Sequence, residues 1–175
     1  KGTFFSESEN SFHKFKVLQG KELSYNNFLD IQAAFDSIRD LKQQASCIIK
    51  HTTPCGIAES DRQRPALEGA WAGDPTSAFG SIVIFNSELK RETVDFFGFD
   101  GGAKKFVEII LAPSFTPQTL DYLSSQKNLR VITFNPAWER PSHEFRYLDG
   151  GVLVQERDEK LYERTDWVSA SKAEI

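Results

Sequence analysis

The run Gly80-Ser81-Ile82-Val83-Ile84-Phe85 decides the fold class. It is short, apolar and β-branched, with no polar alternation. Asp74-Pro75 precedes it and Asn86-Ser87 follows it, so it reads as a strand buried on both faces. Three further runs share this character: Ala45 to Lys50 (ASCIIK), Phe106 to Leu111 (FVEIIL) and Leu129 to Phe134 (LRVITF). Between them lie helical stretches. From Asn27 the residues Phe28, Ile31, Ala34, Phe35, Ile38 and Leu41 recur at helical spacing, with Asn26, Asn27 and Asp30 as capping side chains. Pro65 to Trp71, Lys90 to Phe97 and Thr116 to Ser124 are the other helices; Pro65 and Pro117 fall in first turns, where a missing N–H costs little. Thr52 to Gly56 (TTPCG) reads as a turn, and Gly150-Gly151 as a turn feeding a last strand at Val152-Leu153-Val154. Strands alternating with helices predict an α/β domain whose mostly parallel sheet is covered on both faces.

Composition removes several alternatives. The chain has 175 residues, 39% hydrophobic and 13% aromatic with 15 Phe, which is too apolar for a disordered coil and enough for a sizeable core. Its apolar runs are strand-length, far short of the about 20 residues of a membrane span. A net charge of −4 and a pI near 5.5 argue against nucleic acid as a partner. Two cysteines, Cys47 and Cys55, point to a reducing compartment, hence a cytoplasmic protein. Residues 1–16 show no signal-peptide pattern. With no Met and a start at Lys1, the sequence reads as a piece of something longer.

In a parallel sheet, ligands sit beyond the carboxyl ends of the strands. The segments to inspect are therefore those starting at Lys50, Asn86, Ala112 and Asn135. The first carries the most chemistry. Lys50 and His51 are adjacent at a strand end, before a turn rich in hydroxyls. Histidine suits proton transfer near neutral pH, and the lysine can hold a carboxamide, phosphate or carbonyl oxygen. The plain alternative is a solvated Lys50 and a His51 hydrogen-bonded to its own turn. Cys55 admits a nucleophile with His51 as base, but no orienting third residue is evident, and a small apolar cysteine is the simpler reading. Zinc of the deaminase kind is disfavoured: Pro54-Cys55 begins the pattern, but Ala58 takes the place of the second cysteine and Thr53 that of the glutamate. Gly73 to Gly80 is either a helix-to-strand connection or a binding loop, and Glu108, inside an apolar strand, faces solvent at an edge or is held for a purpose. Glu22, Arg64 and Arg157 read as surface charges.

Five segments in order resemble one family. Gln19-Gly20-Lys21-Glu22-Leu23-Ser24-Tyr25-Asn26-Asn27 is similar to its QGK-LSYNN opening, and Ile49 to Ala58 to its VKH-x-NPCGVA motif. Asp74 to Val83 resembles DPTSAFGGIV, Phe106 to Pro113 resembles FVEVIIAP, and Gly150 to Asp158 resembles GGLLVQDRD. The family is the bifunctional AICAR transformylase and IMP cyclohydrolase of purine biosynthesis. The resemblance implies formyl transfer from 10-formyltetrahydrofolate, the co-substrate, to the 5-amino group of AICAR. It places the catalytic pair on Lys50 and His51, with His51 as base and Lys50 polarising the formyl oxygen or binding the nucleotide. Phe79 and Gly80 match a substrate-lining loop, and Glu108 an acidic folate-contacting position. It also implies a cytidine deaminase-like three-layer α/β/α sandwich without a metal, and a homodimer with shared sites. On this reading residues 1–17 form a leading arm, 18–166 the first half of the transformylase domain, and 167–175 an exit segment. The second half, the upstream phosphate motif and the cyclohydrolase are not in the sequence, so the chain alone is expected to be inactive. Thr53 for the family's Asn, Ser81 for its Gly, and the insertion-like Phe96 to Gly102 depart from the pattern. The competing expectation is a binding module that holds a nucleotide or a folate without chemistry.

Overall fold

The computed structural model describes residues 15–137, 140–159, 164–168 and 170. Most of the leading arm expected over 1–17 and of the exit segment over 167–175 lies outside them. The chain divides into two compact units at Trp138 and Glu139.

The first unit is an α/β domain on a six-stranded sheet. Its strands are β1 (Lys16–Gln19), β2 (Gln44–Lys50), β3 (Thr53–Ser60), β4 (Ser81–Phe85), β5 (Val107–Ala112) and β6 (Arg130–Thr133), in the order β1-β6-β5-β4-β2-β3. Four strands, β3 to β6, run one way. The β4–β5 and β5–β6 pairings are parallel, while β1 and β2 run against their neighbours. The alternation along each strand feeds two cores. Cys47, Ile49, Ile82, Ile84, Ile109 and Leu111 face α1 (Tyr25–Ile38), packing on its stripe of Ile31, Ala34, Phe35 and Ile38. Ile48, Val83, Phe85, Ile110 and Val131 pack with Leu67 and Ala70 of α2 (Gln63–Gly73), Val94 of α3 (Arg91–Val94) and Leu123 of α4 (Pro117–Ser124). Helices therefore cover both faces. Each fully buried side chain of this size contributes about 1.5–3 kcal/mol, so these two cores hold the sheet between its helix layers.

Local signals set the helix starts. Ser24, rather than Asn26 or Asn27, caps α1: its hydroxyl accepts from the Asn27 backbone, and the Asn27 side chain accepts from the Ser24 N–H. Thr116 caps α4 ahead of Pro117.

The turn expected over Thr52 to Gly56 is instead mostly strand. β3 starts at Thr53 and pairs along β2 from Lys50↔Thr53 to Gln44↔Ser60. Proline and glycine are tolerated because β3 is an edge strand and the register slips at Cys55, between Ile48↔Gly56 and Ile49↔Pro54. Gly56 has a further reason to be there. A Cβ at that position would stand 1.9 Å from the Ala70 carbonyl oxygen, so only glycine lets α2 lie this close to β3.

The second unit contains a two-stranded ribbon, β7 (His143–Leu148) and β8 (Gly151–Glu156), joined at Asp149-Gly150. β7 had no counterpart among the expected strands. Arg157, expected at the surface, has a side chain only 17% exposed and pairs with Glu144 at 3.0 Å. No helix among the described residues is long and apolar enough to cross a membrane.

Candidate functional site

Strand direction decides where the site lies. β2 runs antiparallel to β4, with Ser46 opposite Phe85 and Ile49 opposite Ile82. The carboxyl end of β2 therefore meets the amino ends of β4 and β5. Lys50 and His51 sit at one end of the sheet, whereas Asn86, Ala112 and Asn135 follow the parallel strands at the other. The four post-strand segments are not one cleft. Phe79, just before β4, meets Lys50 through its carbonyl and Phe106 through its ring, whereas Glu108 pairs with Arg130 in a cleft whose lining does not include Lys50, His51 or Phe79.

The connection from β2 to β3 is only His51 and Thr52, at φ +54° and +62°. Two left-handed residues match the twist of the flanking strands, which is why such turns favour asparagine and glycine. A β-branched threonine there is strained, on the order of 1–3 kcal/mol. Its neighbours hold it. The Thr52 N–H donates to Asp30 Oδ1 of α1 at 2.7 Å, and the Thr52 hydroxyl donates to the His51 carbonyl at 2.6 Å. The His51 ring stands exposed at the tip, and no hydrogen bond or ion pair among the described residues holds it. The turn is thus fastened by Asp30 and Thr52, leaving the imidazole available.

Lys50 is half-buried and its ammonium donates to the Phe79 carbonyl at 2.7 Å. That carbonyl belongs to a well-ordered loop. Asp74 Oδ1 accepts from the N–H groups of Thr76 and Ser77, and its Oδ2 accepts from the Ser77 hydroxyl at 2.5 Å. The Ser77 hydroxyl bond is the main reason the Asp74 carboxyl lies below its ordinary value. Gly80, at φ +74°, closes the loop by donating to the Phe106 carbonyl at 2.8 Å. The Phe79 ring, 62% exposed, lies 5.2 Å from that of Phe106, making an aromatic wall beside the lysine.

Glu108 lies where β4 and β5 slip register: Ser81 pairs with Val107 and Ile82 with Ile109, so Glu108 is the extra residue. This resolves how a carboxylate fits an apolar strand. The slip turns it out of the core, and its side chain is 43% exposed beside Arg130, at 3.7 Å. Arg130 is only 13% exposed and donates to the carbonyls of Lys21 and Glu22 at 2.9–3.2 Å. Glu22 therefore matters through its backbone. Phe106, Glu108 and Arg130 open onto a cleft of about 500 Å³ whose other walls include Lys21, Lys104 and Phe99. Phe99 comes from the insertion-like segment, stacked on Phe97 and fixed by its N–H to the Tyr122 hydroxyl.

The cysteines do not join this chemistry. Cys47 is buried and its thiol is pushed up to about 12 by burial. Burial, then the Asp74 carboxylate, raises the Cys55 thiol, which disfavours the thiolate a nucleophile requires. Among the described residues no three His, Cys, Asp or Glu side chains gather as a metal site. Sequence reasoning missed Asp30 as more than a helix residue, and also Phe106 and Arg130. The LSYNN motif runs into Asp30, but only the fold shows that it reaches the His51 turn.

This α/β domain, with a lysine–histidine pair at one end of its sheet and an aromatic pair beside the lysine, matches one family over its full length. Residues 1–175 match the profile of the AICARFT/IMPCHase bienzyme, and the chain belongs to that family. Its relatives include the bifunctional purine biosynthesis protein PurH of Acidithiobacillus ferrooxidans, 40% identical over 157 residues, covering 89% of this chain and 29% of that protein. The PurH of Persephonella marina is 40% identical over 166 residues (93% and 30%), and that of Fusobacterium nucleatum 36% over 176 (98% and 33%). The chain spans about a third of the length of these curated relatives.

Proposed function

We propose that this chain supplies the lysine–histidine part of a transformylase site that moves a formyl group from 10-formyltetrahydrofolate to the 5-amino group of AICAR, in purine biosynthesis. The amine nitrogen attacks the formyl carbon, His51 takes the amine proton, and the bond from that carbon to N10 breaks. The proton then goes to N10, giving formyl-AICAR and tetrahydrofolate. Lys50 polarises the formyl oxygen or holds the nucleotide; its bond to Phe79 leaves two ammonium donors free. Phe79 and Gly80 line the substrate, and Glu108 contacts the folate. An aromatic amine is a weak nucleophile, so positioning and proton removal are where catalysis gains most.

The observation that carries this reading is the pairing of a fastened Lys50 with a free, exposed His51 on a two-residue turn. The family match over 1–175 supports the reaction class. Helices on both faces of the sheet support a cytidine deaminase-like fold. In this proposal residues 18–166 are the first half of the transformylase domain. A homodimer in the cytoplasm is part of the same proposal. The test is steady-state formyl transfer by the protein expressed from its natural gene. His51→Ala is expected to lower kcat about 10²–10⁴-fold with AICAR affinity retained. Turnover unchanged in that variant overturns the assignment and leaves a binding module.

A further inference from the structure

We infer that Asp30 is a positioning residue for the His51 turn, and that its carboxylate oxygen, as a hydrogen-bond acceptor, keeps the strained Thr52 conformation in place. The inference rests on the proposed role of His51 for its activity readout only.

Four observations carry it. His51 and Thr52 are the whole connection between β2 and β3, so the direction of the imidazole depends on two backbone conformations. Both are left-handed, and Thr52 at φ +62° is a residue type that resists that region. Asp30 Oδ1 receives the Thr52 N–H at 2.7 Å, a short bond to a charged acceptor. Asp30 is itself anchored: it sits in the second turn of α1, whose start is closed by the Ser24–Asn27 capping box and whose Ile31 and Ala34 are fully buried. The helix thus supplies a fixed acceptor to a turn whose two positive-φ positions hold no glycine. Removing the acceptor leaves Thr52 free to relax toward negative φ, and the peptide that carries His51 rotates with it.

The test separates this bond from general stability by three substitutions in the protein expressed from its natural gene. Asp30→Ala is expected to lower kcat about 10- to 100-fold, with KM for AICAR within about threefold. Asp30→Asn keeps an Oδ1 acceptor and is expected to stay within about threefold of the parent. Asp30→Ala combined with Thr52→Gly is expected to recover much of the loss, because glycine holds a positive φ without support. In parallel, amide exchange at Thr52 in Asp30→Ala should quicken at least tenfold while Ile48 in β2 stays protected. Asp30→Ala that folds and retains its kcat and its Thr52 protection overturns the inference. So does an equal loss in Asp30→Asn with no recovery by Thr52→Gly. If the parent protein transfers no formyl group, the proposed function fails, and the exchange experiment alone decides the role of Asp30.

Discussion

The described residues make two two-residue hairpin turns, and they are built in opposite ways. Asp149-Gly150 joins β7 to β8 with glycine at the positive-φ position, +83°, and open space where its Cβ would be. His51-Thr52 joins β2 to β3 with no glycine, two positive φ values and a helix carboxylate holding the strained residue. The first turn is the inexpensive solution that local chemistry favours. The second departs from local preference at the proposed catalytic histidine, and it is maintained from outside by α1. A turn that must aim a side chain is stabilised by tertiary contacts, whereas a turn that only reverses the chain is stabilised by its own residues.

The largest expected effect tests whether the second turn is functional at all. His51→Ala should remove about 10²–10⁴-fold of formyl transfer, measured by tetrahydrofolate release, whereas Gly150→Ala should leave the chemistry of the first unit untouched. Next is the frame around the turn. Gly56→Ala forces a Cβ to 1.9 Å from the Ala70 carbonyl, so α2 must move off β3. A loss of about 3 kcal/mol, or more, is expected in denaturant unfolding. Then come the turns themselves, with opposite signs. Gly150→Ala should destabilise its hairpin by about 1–2 kcal/mol, because alanine resists positive φ. Thr52→Gly should raise stability by up to about 1 kcal/mol, strain relief exceeding the added chain entropy. The same sign for both in thermal unfolding breaks the comparison.

The smallest effect is the pH response of the loop that receives Lys50. Asp74 has its carboxyl held below the ordinary 3.8, first by the Ser77 hydroxyl. A depressed folded value means that the stabilisation is fully present above the unfolded value and is lost as pH falls through the folded one. The Asp74–Gly80 loop should therefore keep its amide protection near neutrality and lose it only below about pH 4. Asp74→Asn should remove most of that acid dependence.

The apolar strands were legible because burial on both faces leaves a composition that survives any rearrangement of neighbours. Ser81–Phe85 and Val107–Ala112 fall within one residue of the runs read from sequence. β3 was not legible, since Pro54 and Gly56 are turn signals everywhere except on an edge strand with a register slip beneath a close helix. Of the candidate site, Lys50 and His51 were visible as a chemical pair, and Phe79, Gly80 and Glu108 through the family motifs. Asp30 and Arg130 were not, because each acts across more than twenty residues or on backbone carbonyls.

Sequence alone determined the α/β class, the helix and strand segments that fill the two cores, and the chemical identity of the lysine–histidine pair. Periodicity and composition are local properties, and residues carry them wherever they go. Only the tertiary structure decided that β2 runs against β4, which brings Lys50 to Phe79 at the amino ends of the parallel strands. An apolar run reads the same in either direction. Its sense is chosen by a tight hairpin and by which helix can reach it, and those are relations between segments that no single segment contains.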